Sequence, residues 1–186
     1  MSINLAIRTS HNALPFLESY SDWYLPGIIS LSLMWANLHN IYGVGNFADD
    51  FYWSSSEDIT EDGLGHDSDS QAHFINFTTG AQYWDNKSGT YRVRACRSFT
   101  AAIGAYDLKD IGPGGGYVFY YDGLGNYIEA HPSDQSASAA YSDVDTTEIG
   151  DTAQSVNVHG GLTNTAAIIG QIGHTASAAK LCDDLN

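Results

Sequence analysis

Basic residues are scarce in this 186-residue chain, which has 7 Lys and Arg against 22 Asp and Glu and a formal net charge of -15. Because each contact to a nucleic-acid phosphate needs a Lys or Arg, this balance argues against nucleic acid as a partner. It argues equally against anionic membrane surfaces. No stretch approaches the length of apolar sequence that crosses a bilayer, so no membrane insertion is expected.

Cysteine is also scarce, since Cys96 and Cys182 are the only two and lie far apart. Without a CxxC pair, a structural zinc site is not expected. Their number leaves two alternatives, a disulfide or two buried free thiols. The N-terminus lacks a basic region followed by an apolar run and a cleavage site, so no signal peptide is predicted. Residues 1–19 are interpreted as a weakly patterned leader.

The residues that are present favour a folded domain with a polar surface. Hydrophobic residues make up 43% of the chain, which is enough for a core, whereas charged residues make up only 16%. Ser, Thr, Asn, Gly and Tyr must therefore cover much of the surface. Such a surface is typical of secreted, viral and carbohydrate-binding proteins.

Periodicity and turn signals predict both helices and strands along the chain. Apolar residues at roughly helical spacing predict a helix from Ile28 to His39. Strand-like runs are expected at 51–56 (entering a Ser-rich turn), 72–77, 81–84, 91–99, 117–121 and 127–130. The last two are expected to form a hairpin. Residues 133–160 are interpreted as mostly loop, and 163–185 as one or two helices broken near Gly170 and Gly173.

Motifs for catalysis or nucleotide binding are missing. The run GPGGG at 112–116 is followed by Tyr117 and a strand, whereas a phosphate loop needs Lys-Ser or Lys-Thr and a helix. It is therefore interpreted as a tight turn. Since no GxSxG or HExxH motif occurs either, no enzyme activity is predicted.

Two short acidic motifs are the weak candidates for calcium, because they can place two carboxylates on one side of a bend. They supply Asp67 and Asp69 in one loop and Asp143 and Asp145 in another. Such pairs are also common in solvated acidic loops. No cofactor is therefore expected.

Aromatic and short polar residues interleave between 71 and 91, as on surfaces that bind sugars or proteins. Together with the acidic loop 57–70, this segment is the predicted binding surface. The predicted ligand-binding residues are His73, Asn76, Gln82, Tyr83, Trp84, Asp85 and Lys87. Phe74 and Phe77 are expected in the core. Arg92, Arg94 and Arg97 are expected to pair with acidic residues beneath the site.

Several motifs together resemble a known family. They are SDWYLP at 21–26, LSLMWANLH at 31–39, GVGNFADDFYWSSSE at 43–57, F-x-N-F-x-x-G at 74–80 and YRVRACRSF at 91–99. In this order they resemble the C-terminal lectin-like domain of bacterial collagen-like adhesins (domain of unknown function 1566). The resemblance implies a C-type-lectin-like α+β fold with small antiparallel sheets, two or more helices and long loops.

The order of the motifs is reversed relative to that family. Residues 110–136 and 164–185 resemble segments that usually precede SDWYLP. The resemblance thus divides the chain into the leader, a back half at 20–99, a linker at 100–105 and a front half at 106–186. Either the chain is a circular permutant, with Asn186 near residues 18–21, or each front half completes a neighbouring subunit. The second alternative predicts a head-to-tail homo-oligomer that can extend into a filament.

The joint between the halves is not expected to be electrostatic, because both are acidic. Residues 1–104 carry 5 basic and 11 acidic groups, and residues 105–186 carry 2 and 11. Apolar packing, sheet pairing or the cysteines are expected to join them. The resemblance places Cys96 and Cys182 where the halves meet, which implies a bridge within one chain or between two. The apolar start of the first helix departs from the family pattern and indicates a subunit contact or deeper burial.

The resemblance implies a non-enzymatic adhesion or receptor-binding module. Family members occur in adhesins and phage tail proteins, so a phage tail fibre or another virion or extracellular assembly is the expected setting. The expected partner is a cell-surface glycan or protein receptor. The alternative is a self-assembling structural protein whose subunits exchange module halves.

Overall fold

A computed structural model describes residues 20–58, 69–149 and 157–185. The leader 1–19 and most of the acidic loop, including Asp67, lie outside these ranges. The helices are α1 (Ile28–Met34), continued by a π-helical segment (Trp35–Asn40), α2 (Gly161–Ile169) and α3 (Ala178–Asp183). The strands are β1 (Phe51–Glu57), β2 (Gln71–Asn76), β3 (Gln82–Asn86), β4 (Thr90–Val93), β5 (Cys96–Thr100), β6 (Tyr117–Tyr121), β7 (Asn126–Ala130) and β8 (Ser136–Ala140). The α+β class predicted from the sequence is confirmed.

The strands form two small sheets. The larger has the order β3-β2-β1-β4-β8, with β1 and β4 parallel and the other pairs antiparallel. The smaller is antiparallel, with the order β5-β7-β6. Within the described residues, β3 and β8 are the two edges of the larger sheet. None of the helices in these ranges is long and apolar enough to cross a membrane.

The helices cover the sheets in layers. On one side of the five-stranded sheet, α1 and the π-helical segment lie against Tyr52 and Ile75 and also contact the three-stranded sheet. On the other side, α2 and α3 pack over Trp53 and Phe74. We call these two sides of the sheet the α1 face and the α2 face.

The apolar start of α1 is explained mainly by deeper burial. Ile28 and Ser30 are buried, and Ile28 belongs to the core on the α1 face. Only Ile29 between them reaches the surface, with 37% of its area exposed. Most of the residues that depart from the family pattern are therefore buried within this chain.

The prediction of one strand over 91–99 is wrong. The chain leaves the five-stranded sheet after β4 and enters the three-stranded sheet as β5. Between them, the buried Arg94 guanidinium donates to Asp134 Oδ1 (2.7 Å) and to the carbonyl of Gly45 (2.7 Å). The backbone N–H of Ala95 donates to the side chain of Gln135. These side-chain and backbone contacts replace strand pairing at the crossover.

Ser54–Ser56 form no turn, contrary to the prediction, because β1 continues through them to Glu57. All three serines are buried. Ser54 Oγ donates to the carbonyl of His73 (2.9 Å), and Ser56 Oγ accepts from the backbone N–H of Ile28 (3.1 Å). Small hydroxyls with internal partners can lie in a core strand. The predicted loop at 133–160 also contains the unexpected strand β8.

The two halves pack together within one chain. Strands of the front half extend both sheets of the back half, since β7 pairs with β5 and β8 pairs with β4. Near the two ends of the described chain, Tyr20 and Leu185 pack against the same buried cluster. The described front half therefore packs on the back half of the same chain, and the permutation relative to the family stays a prediction.

The predicted disulfide is not formed. Cys96 and Cys182 are free thiols, and both are fully buried. Burial raises the pKa of each thiol, and the proximity of Cys96 raises the pKa of Cys182 further. Because the thiolate is the reactive form, both side chains behave as apolar core residues here.

Candidate functional site

Strand register divides the predicted ligand-binding residues between the two faces of the sheet. Residues paired directly across two strands point to the same side. Phe74 pairs with Tyr83 and Ala72 with Asp85, which places Tyr83 and Asp85 on the α2 face. The pairs of His73 with Trp84 and of Ile75 with Gln82 place His73, Trp84 and Gln82 on the α1 face. One strand therefore presents two different surfaces.

The α2 face ends in a cluster of four aromatic rings, which we call the aromatic platform: Phe51, Phe74, Tyr83 and Tyr91. The rings of Phe74 and Tyr83 stack with centroids 5.7 Å apart and an angle of 27°. Phe51 and Tyr91 contact each other (5.4 Å), and each also contacts Phe74, at 5.4 and 4.5 Å. Phe74 is buried, but Tyr83 and Phe51 remain 46% and 37% exposed. The platform is thus a fixed aromatic surface open to solvent.

Asp85 borders the platform and supplies its polar atoms. Its Oδ2 accepts a 2.6 Å hydrogen bond from the Tyr91 hydroxyl, and its Oδ1 accepts from the backbone N–H of Asn86 (2.8 Å). Burial and this hydrogen bond to Asp85 raise the pKa of Tyr91. Tyr91 therefore stays protonated and holds the carboxylate in place. Each carboxylate oxygen keeps acceptor capacity for a further donor.

Asn76 is on the same face, because it pairs with Phe51. Its side-chain oxygen accepts from the backbone N–H of Thr78 (2.8 Å). It therefore shapes the turn between β2 and β3, next to the platform.

On the α1 face, the predicted residues contact the fold itself. Gln82 donates to Ser32 Oγ of α1 (2.9 Å), which ties the edge strand to the helix. His73 Nε2 lies 3.7 Å from the buried carboxylate of Asp58. Trp84 is 43% exposed, close to the value for Tyr83. These residues do not share a surface with the platform.

The prediction that Lys87 is presented to a ligand is wrong, since its side chain is 0% exposed. Its ammonium group donates to Glu57 Oε1 and to the carbonyls of Asp69 (2.8 Å) and Thr147 (3.0 Å). Glu57 also accepts from the backbone N–H of Ile149. Burial raises the pKa of Glu57 despite the opposing effect of Lys87. Through Thr147 and Ile149, this buried pair connects the front half to β1.

The predicted pairing of the three arginines with acidic residues is confirmed. Arg92 binds Asp50 and Asp134, and Arg94 also binds Asp134. Arg97 binds Asp22 and Glu129, and its guanidinium lies over the ring of Tyr20. Since Asp134 and Glu129 belong to the front half, ion pairs do join the halves. The expectation of a joint without electrostatic contacts is therefore wrong, although both halves are acidic overall.

The glycine-rich turn at 112–116 binds a carboxylate of this chain. The backbone N–H groups of Gly114 and Gly116 donate to the two oxygens of the buried Glu129, at 2.9 and 2.8 Å. Arg97 binds the same carboxylate. The predicted tight turn leading into β6 is confirmed, and its N–H groups are already occupied.

Two of the candidate calcium ligands, Asp143 and Asp69, bind groups of this chain, whereas Asp67 lies outside the described residues. The carboxylate of Asp143 accepts from Thr175 and Ala176 just before α3, and the hydrogen bond from the Thr175 hydroxyl lowers its pKa. Asp69 Oδ1 accepts from the backbone N–H of Glu148 (3.2 Å). Across residues 20–58, 69–149 and 157–185, no three His, Cys, Asp or Glu side chains are grouped as metal ligands.

Sequence reasoning missed two members of the platform, Phe51 and Tyr91. The strand-like runs predicted at 51–56 and 91–99 begin with these two residues, but neither residue is among the predicted ligand-binding residues. Alternation within β1 gives the face of Phe51, but its contact with Phe74 follows only from the β1–β2 register.

No protein-family model, curated protein or solved structure matches the chain significantly. The lectin-like resemblance therefore stays a prediction.

Proposed function

We propose that the chain is a non-enzymatic, lectin-like adhesion or receptor-binding module that binds a cell-surface glycan through the aromatic platform. Its proposed setting is a phage tail fibre or another virion or extracellular assembly. The observation that carries the proposal is the group of Phe51, Tyr83 and Tyr91 beside Asp85, in which Phe51 and Tyr83 are exposed and Tyr91 is partly buried.

The chemistry of the platform suits a sugar ring. Aromatic rings offer a flat apolar surface with a negative face, against which the C–H groups of a pyranose can stack. Asp85 can accept hydrogen bonds from sugar hydroxyls next to that surface. Binding sites commonly combine an apolar lining with a few fixed polar groups. The platform rings are contiguous, and contiguous exposed apolar patches are typical of interaction surfaces.

Adjacent residues of β3 provide a matched pair of substitutions that tests the proposal. Tyr83→Ala removes a ring from the platform, whereas Trp84→Ala removes a ring of similar exposure from the opposite face. On a glycan array followed by titration calorimetry, we expect Tyr83→Ala to weaken binding of the wild-type ligand at least tenfold. Trp84→Ala should change the affinity less than threefold.

Equal losses of glycan affinity in both variants, or a loss of affinity in Trp84→Ala alone, would contradict the assignment of the site. Thermal unfolding of both variants serves as the folding control. The array itself tests the function, because a folded wild-type protein that binds no glycan would contradict it.

A self-assembling structural protein is the second candidate, and the two edges of the five-stranded sheet favour it. Within the described residues, β3 and β8 each have one neighbouring strand, and no proline lies in either. Such edges can pair between molecules, and a contact of β3 with β8 would propagate head to tail. The intrachain pairing of the halves makes exchange of halves unnecessary for this assembly.

Light scattering of the purified protein separates the two candidates. The binding module is expected to be a monodisperse particle of one or a few subunits at micromolar concentration. Filaments or large rings that disappear when Trp84 or Ala137 is replaced with Pro would instead support assembly through the sheet edges. Proline removes the N–H group that an edge strand donates to its neighbour.

A further inference from the structure

We infer that the platform is selective for glycans with an uncharged pyranose at the contact point and excludes sialylated and sulfated ones. This inference rests on the proposed function and names its ligand class. It follows from the charges of the platform and from the partners of the cations in the described chain.

The charged group that contacts a platform ring in the described residues is the carboxylate of Asp85, which accepts from the Tyr91 hydroxyl. The cation expected nearby from the sequence was Lys87, two residues further along. Its ammonium group instead lies inside the fold on Glu57, with all three of its protons donated. Because Lys87 cannot reach the platform without breaking this pair, it cannot receive an anionic sugar there.

The other cations of the described ranges are also engaged. Of the seven Lys and Arg residues, Arg8 lies outside these ranges. Five of the others bind carboxylates: Lys87, Arg92, Arg94, Arg97 and Lys180. The sixth, Lys109, lies with its Nζ 4.9 Å above the centre of the Tyr42 ring. Arg92 is near the platform in sequence, but its pairing with Tyr52 places it on the α1 face.

An anionic sugar would therefore meet a carboxylate without a compensating cation. A sialic acid carboxylate or a sulfate loses hydration when it approaches the rings, and Asp85 repels it at short range. The net charge of -15 adds a repulsive field over the whole surface. An uncharged pyranose meets neither penalty, and its neighbouring hydroxyls can donate to the acceptor sites that remain on Asp85.

The test compares matched glycans on the intact protein. Neutral β-galactosyl, β-glucosyl, α-mannosyl and β-N-acetylglucosaminyl oligosaccharides are each titrated against immobilised protein, together with their sialylated or 6-sulfated forms, in 150 mM salt. We expect at least one neutral series to bind and its anionic form to bind at least tenfold more weakly. Raising the salt to 500 mM should lower the ratio of neutral to anionic glycan affinity, because salt screens the repulsion between Asp85 and the anionic sugar.

Asp85→Asn identifies the source of the selectivity. This variant keeps a side-chain oxygen that can accept from Tyr91 but removes the charge, so the ratio of neutral to anionic binding should fall at least threefold. Asp107→Asn is the matched control, since it removes one exposed acid from the loop before β6 and should leave the ratio unchanged. Thermal unfolding checks that both variants are folded.

The outcomes distinguish the inference from the function on which it rests. Anionic glycans that bind as tightly as their neutral parents, with binding lost in Tyr83→Ala, would overturn the selectivity and leave the binding function standing. An unchanged ratio in Asp85→Asn would overturn the role of Asp85. A folded protein that binds no glycan of either kind would overturn both the inference and the proposed function.

Discussion

Replacing Lys87 with Met is expected to lower the free energy of unfolding by about 3–5 kcal/mol. Both partners of the Lys87–Glu57 pair have fully buried side chains, and the ammonium group has three acceptors. The substitution leaves the Glu57 carboxylate in the core without its cation. It also removes the donor that holds the carbonyls of Asp69 and Thr147. Urea unfolding followed by tryptophan fluorescence measures the loss.

Two controls make this prediction specific. The double variant Lys87→Met with Glu57→Gln should recover part of the loss, because it removes the uncompensated charge. Lys180→Met breaks an exposed pair with Asp184 and should destabilise the protein much less than Lys87→Met does. A Lys87→Met variant that is no less stable than Lys180→Met would contradict the described burial of the pair.

Replacing Gly116 with Ala is expected to cost about 3 kcal/mol or more, at the upper end of the range for overpacking. A Cβ at this position would lie 2.3 Å from the carbonyl oxygen of Ala130 and 3.0 Å from Glu129 Oε2. Ala130 is fixed by its pairing with both Cys96 and Tyr117, so this backbone cannot move aside. The clash also displaces the N–H group that binds Glu129.

The neighbouring glycine supplies the matched control for this variant. Gly115 has a φ of +78°, and a Cβ there would meet no atom within 4 Å. Gly115→Ala therefore introduces backbone strain of about 1–2 kcal/mol without a clash. Thermal and urea unfolding should rank Gly116→Ala below Gly115→Ala in stability. The reverse order would contradict the close packing of the turn on Glu129.

The sequence predicts those parts of the fold that local pattern determines. Turn residues between alternating apolar runs indicated β2, β3 and the β6–β7 hairpin, and apolar spacing indicated α1. Strand β8 was missed because its sequence, SASAA, contains small residues with little strand preference. The break between β4 and β5 was missed because the alternating pattern continues across it, while the contacts of Arg94 that cause it come from distant residues.

In the candidate site, too, local sequence predicts some residues correctly, whereas contacts between distant residues decide the others. Tyr83 and Asp85 were predicted from local composition, and both border the platform. Lys87 was misplaced because its NKSG turn is a surface signal, while its partners Glu57 and Thr147 lie 30 and 60 residues away. Trp84 and His73 were grouped with Tyr83 because sequence proximity does not reveal which face a strand residue occupies. Phe51 and Tyr91 required the pairing of distant strands.

The most direct test of the central claim locates the bound glycan on the protein. A neutral oligosaccharide selected from the array is titrated into protein labelled with carbon-13 in its aromatic side chains, and the ring signals are followed by NMR. We predict saturable shifts for Phe51, Tyr83 and Tyr91, with the Trp84 indole unchanged. Shifts confined to Trp84, or saturable binding without a change in the platform rings, would contradict the assignment of the binding site.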